Sequence, residues 1–208
     1  MTDDRVTPEE STTAVPEVEE LAPAADLALR AVVLELEQHA VASGWDQPAR
    51  LFALVHTQEL LANEPGLADM LEVDPDADLT GSITPIEQDE LPPDLPLEQL
   101  LSEMVWPEAV HGTAVIVERL VLPPSVSLPD DEAAAQEVAE THPERQEVRM
   151  VAGATRSGST YCALRLRTHD DDFSVIEGPD LVPALLELLQ STLSAPDGGP
   201  ADPSAPEQ

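Results

Sequence analysis

Lysine is absent from this sequence of 208 residues, and all nine of its basic side chains are arginine. Without a lysine amine there is no Schiff-base chemistry, and no phosphate loop that closes on a lysine. Against the nine cations stand 42 Asp and Glu, for a formal net charge of −33. Binding to DNA, RNA or anionic membranes depends on cations that neutralise phosphates, so neither nucleic acid nor membrane is expected as a partner. Aromatic residues make up only 2% of the chain: Trp45, Phe52, Trp106, Tyr161 and Phe173. The core must therefore be filled by Leu, Val and Ala. Cys162 is the only cysteine, which excludes an intrachain disulfide and a cysteine-cluster metal site. No apolar run approaches the ~20 residues that span a bilayer. The acidic opening MTDDRVTPEE does not read as a secretory signal. A cytoplasmic protein is expected.

What is present is enough for one core, since 42% of the chain is apolar. Residues 1–22 and 195–208 are acidic, Pro-rich and aperiodic, and are expected to be disordered tails around a single domain over 23–194. The clearest pattern is EVRMVAGATRSGSTYCALRLRTH, residues 147–169, which reads as a β-hairpin. A loop of Arg156, Ser157 and Gly158 sets Ala152 opposite Cys162, Met150 opposite Leu164 and Val148 opposite Leu166. The other face then carries Val151 with Ala163, Arg149 with Arg165, and Glu147 with Arg167. A slip of one residue would mix the two faces.

TAVIVERLVLPP is apolar on both faces and is expected to be a central strand. Helices are expected over about 23–42, 97–106 and 130–141, and from Asp180 onward with Leu181, Leu185, Leu188, Leu189 and Leu193 inward. The first helix has two adjacent apolar faces, one marked by Leu27, Leu34 and Val41 and one by Leu29, Val33 and Leu36. Leu51 to Val55 reads best as a buried strand followed by a helix capped by Thr57, with one helix through 46–63 as the alternative. A short edge strand is expected at 81–86, because Pro85 cannot donate to a central ladder. The fold class is therefore α+β, with a mostly antiparallel sheet of about four or five strands. Helices, including the first and last, cover it.

Seven segments in this order, WDQPARLFALV, ITPIEQDELP, VWPEAVHG, VIVERLVLPP, HPERQEVR, CALRLRTHD and GPDLVPALLE, carry a resemblance. Over roughly residues 24–194 the chain resembles a family of acidic actinobacterial proteins of about this length. The resemblance implies no established activity, no ligand and no functional residue.

Candidate chemistry is sparse. DADLTGSITPIE, residues 76–87, sets Asp76, Asp78, Thr80, Ser82, Thr84 and Glu87 at the spacing of a calcium-binding loop. Pro92 and Pro93 cut off the exit helix, so an acidic loop leading into an edge strand is the better reading. His169 with Asp170, Asp171 and Asp172 reads as a solvated loop, and His56 as a hydrogen-bonded core histidine. Cys162, facing inward beneath the last helix, reads as an inert thiol. No catalytic residue, cofactor or metal site is assigned. The one electrostatic anomaly is Arg149, Arg165 and Arg167 on a single sheet face, a candidate docking face for an anion or a protein partner. The blander reading, that neighbouring carboxylates such as Glu147 pair with these arginines and nothing docks, is the favoured one. The expected function is a non-enzymatic, cytoplasmic protein-binding or accessory module. The alternatives are a metal-dependent hydrolase using His56, His169 and nearby acids, and an acidic mimic of nucleic acid.

Overall fold

The computed structural model of the chain describes residues 24–64, 66–67, 78–92, 94–123, 125–129 and 131–194. The two expected tails lie outside these. Along the chain run α1 (Ala24–Ser43), β1 (Arg50–His56), α2 (Thr57–Asn63), β2 (Ile83–Glu87), α3 (Leu97–Glu103) and β3 (Gly112–Val121). After them come α4 (Glu132–Thr141), β4 (Gln146–Thr155), β5 (Thr160–Leu166), β6 (Ile176–Gly178) and α5 (Pro183–Leu193). The six strands form one antiparallel sheet in the order β2-β1-β3-β4-β5-β6. The fold is α+β.

Alternation sets the centre of this sheet. β4 and β5 pair in the register that the two-faced pattern dictates, from Val148 with Leu166 to Ala154 with Thr160. The turn closes with Thr155 N–H donating to Ser159 O at 2.9 Å, and Gly158 takes a φ of +90°, which a side chain would strain. β3 lies between β1 and β4 and feeds both faces. Val115 and Val117 enter one cluster with Leu186, Leu189 and Leu193 of α5 and Leu97 and Leu101 of α3. Ala114 and Ile116 enter the other, beneath α1. α1 sits directly on Gly153, where a Cβ would lie 3.0 Å from Leu29 Cδ1 and 3.1 Å from Val33 Cγ2. No helix among the described residues is long and apolar enough to cross a membrane.

Several expectations need correction. The sheet has six strands rather than four or five, because β6, three residues within the loop after β5, is too short to show alternation. α1 buries only one of its two apolar faces. Leu29, Val32, Val33, Leu36 and Ala40 are inside, whereas Leu27 and Val41 are exposed. Residues 50–63 are strand, then helix, as expected, but the capping position is His56 rather than Thr57. The Thr57 hydroxyl instead shares a hydrogen bond of 2.8 Å with that of Thr84, tying α2 to the edge strand β2. The last helix begins at Pro183, in the first turn where its missing N–H costs nothing. It buries Leu186, Leu189 and Leu193 and leaves Leu185 and Leu188 half-buried. Leu164 and Leu166 share the face of Cys162, and the alternation predicts their burial under the last helix. They are only half-buried, and the cluster beneath α5 takes Cys162 and Ala152 from the hairpin instead.

Candidate functional site

The arginine row is the most concentrated chemistry in the molecule. Glu118 of β3 pairs across the sheet with Arg149 of β4, and Arg149 pairs with Arg165 of β5. Two like charges side by side repel unless neutralised. Here each has its own carboxylate. Arg149 donates from Nε and Nη2 to Glu118 Oε1 at 3.1 and 3.0 Å, and from Nη2 to Gly44 O. Arg165 is gripped by both oxygens of Glu37, at 2.5 and 3.0 Å, the fork-to-fork geometry that favours Arg over Lys. The Glu37 carboxylate holds the Arg165 pKa above its usual value, and Asp172 and Asp170 act in the same direction. Glu37 faces the sheet from α1, so a helix that is apolar over most of its inner face carries one acid where the sheet carries its cation.

The turn after α1 completes this closure. Trp45 lies under both neighbouring guanidinium groups, with Arg149 Cζ 4.2 Å and Arg167 Cζ 5.5 Å from its ring centre, within cation–π range. Its indole N–H donates to Asp170 at 2.9 Å. Asp46 takes a φ of +65°, which points its backbone N–H at Glu118 (2.8 Å) while its carboxylate accepts two bonds of 2.8 Å from Arg167. Glu147 also accepts from Arg167. Arg149 and Arg165 are 2% and 1% exposed. The docking reading requires accessible guanidinium groups, and at these two positions α1 and its turn occupy the space. Arg167 alone of the three reaches the surface.

The histidines divide between the two ends of the sheet. His56 ends β1 beside His111, their ring centres 4.1 Å apart. His169 follows β5 at the opposite end, where Val148 pairs with Leu166. The steps of β4 from Thr155 to Val148 separate the ends by roughly 23 Å at the rise of a strand. His56 and His169 therefore share no cleft. No local pattern signals the pairing with His111, which depends on β1 and β3 being neighbours. Burial, and then the His56 ring, push the His111 pKa down; Glu59 opposes the shift and Arg156 adds to it. Arg156 itself ties the ends of elements together, donating to the carbonyls of Val110, Pro107 and Trp106 at 2.7, 2.7 and 3.0 Å and to that of Leu193.

The second half of the calcium-like spacing is extended strand. Thr84 and Glu87 lie in β2, extended against β1, with Thr84 paired to Val55 and Glu87 to Phe52. Asp76 lies outside the described residues. Among the described residues, no three His, Cys, Asp or Glu side chains are placed to hold a metal ion. Cys162 is fully buried, and burial raises its thiol pKa, in keeping with an inert packing role.

A further feature could not be read from the sequence. Where α5 stops short of covering β3 and β4, an apolar cleft of about 340 Å³ opens between Val117, Met150, Val182, Leu185 and Leu188. Glu98 and Arg119, an ion pair of 2.9 Å, line one side of it. The same pair lines a second, larger cleft of about 860 Å³ walled by Pro48, Leu91, Leu95 and Pro96. Five segments remote in sequence (48–49, 91–100, 117–119, residue 150 and 182–188) meet there, so no single stretch signals it.

Comparison with curated proteins finds no match. Comparison with solved structures finds none either. The model of one protein family, described as PPA1309-like protein, matches residues 29–194, from the second turn of α1 to just past the end of α5. A match over this much of the chain, spanning every strand of the sheet, makes the chain a member of the PPA1309-like family.

Proposed function

We propose that this chain is a non-enzymatic protein-binding or accessory module that takes its partner in the cleft between α3 and α5. One observation carries the reading: Arg149 and Arg165 are buried beneath the chain's own α1 and the cleft beside Arg165 is lined by Glu37, Gln38, Asp172 and Glu177, whereas the α3–α5 face stays open over an apolar floor. Clefts of this kind are the usual seats of ligands and partner side chains. The cleft's size, about 340 Å³, fits inserted side chains.

The test is affinity capture from the native cytosol with three forms of the protein. Ala184 is exposed and lines the cleft, so Ala184→Trp fills it without disturbing the core. That variant should lose the partner recovered by wild type, whereas Arg167→Gln should retain it. Loss with Arg167→Gln and retention with Ala184→Trp would return docking to the arginine row and overturn the reading.

A further inference from the structure

We infer that the partner taken in the α3–α5 cleft is a basic, amphipathic segment of another protein, its apolar side chains entering the two clefts and its cations meeting the acids around them. The inference rests on the docking reading above and adds the chemistry of the occupant. The first argument is where the cations have gone. Of the eight arginines among the described residues, seven already hold a carboxylate or carbonyl of the same chain. The fold therefore consumes its cations internally and leaves carboxylates outside, against a net charge of −33.

The second argument is local. Val117, Met150, Leu185 and Leu188 floor the smaller cleft and Leu91 and Leu95 wall the larger one, with Leu95 42% exposed. Glu98 lines both clefts. Asp94 and Glu103 are exposed on the segment that carries Glu98, and Glu187 is exposed on α5. Among the described residues, the one cation lining these clefts, Arg119, is already paired to Glu98. An apolar floor with an anionic rim suits the groove mode of recognition, in which apolar side chains give affinity and flanking charges choose the partner.

The same charge disfavours the other occupants. Nucleic acid and anionic lipid are repelled. The chain's own end segments, residues 1–22 and 195–208, are acidic, so they do not complement the rim. A second copy brings the same excess of carboxylates.

The experiment titrates the full chain with three labelled synthetic peptides and reads fluorescence anisotropy. One is an amphipathic helix with Leu along one face and Arg and Lys elsewhere. The second has its cations changed to Glu, and the third keeps the cations but has its Leu changed to Ser. The basic Leu peptide should bind best, and Ala184→Trp or Leu95→Ser should weaken it by about tenfold or more, as loss of an anchoring contact does. Added salt should weaken it in parallel. Equal binding of the basic Ser peptide, or no effect of Ala184→Trp, would mean general charge attraction and would overturn the inference. Preference for the acidic Leu peptide, with sensitivity to Ala184→Trp, would overturn the basic partner and leave the cleft as the docking site. If no peptide binds, this inference fails, while the cytosolic capture still decides the docking reading.

Discussion

Replacing Glu37 with alanine should destabilise the protein by about 3–5 kcal/mol in urea melts, the cost of stranding a buried guanidinium. Arg165 is 1% exposed, and Glu37 supplies both of its short hydrogen bonds. Asp172 and Asp170 stand 3.3 and 3.6 Å away but are open to solvent, and they recover only part of the loss. The pair itself contributes little net stability, because taking both charges out of water costs about what their attraction returns. The double replacement Glu37→Leu with Arg165→Met should therefore cost less than Glu37→Ala alone. That non-additivity is the signature of a charge pair, as opposed to a packing defect. A loss below about 1 kcal/mol for Glu37→Ala would mean that Arg165 swings out to water, as a surface ion pair does.

Leu189→Ala should cost about 2–5 kcal/mol, as large-to-small changes at fully enclosed core positions do. Leu189 is fully buried, between Leu186 and Leu193 on the same stripe and over Ala152 and Cys162 of the sheet. Those two floor residues are small, so little can move in to fill the space. Leu164→Ala should cost clearly less, because Leu164 is half-buried at the margin that α5 leaves uncovered. Urea melts of the two variants side by side measure the difference. Equal losses would place α5 further along the hairpin than its contacts with Cys162 require.

The contrast between Leu189 and Leu164 marks how far the sequence could be read. The β4–β5 register was legible because it rests on local features, strict alternation and a glycine at the one turn position that needs positive φ. β3 was legible because both of its faces are apolar. The position of α5 over those strands was not, since its apolar side is broad enough to seat Leu185 or Leu186 inward. β6 was invisible because three residues carry no period. At the arginine row the sequence placed Arg149 opposite Arg165, as the ladder has it, whereas Arg167 lies in the turn just past β5 and pairs with no residue of β4. What closes that face was hidden, because Glu37 is 128 residues from Arg165 and looks like any other exposed acid on a helix. Trp45 and Asp46 were hidden in the same way, their role depending on where α1 ends above the sheet. The α3–α5 cleft has no sequence signature at all, since it is the space left between elements.

Reaction of the native protein with an arginine-selective dicarbonyl, followed site by site by mass spectrometry, tests most directly whether the arginine row is internal framework. Arg145, exposed just before β4, should react rapidly, whereas Arg149 and Arg165 should react only as the protein unfolds, with urea bringing both up together. If Arg149 and Arg165 react at the rate of Arg145 in native buffer, α1 does not close the face, and docking belongs to the arginine row after all.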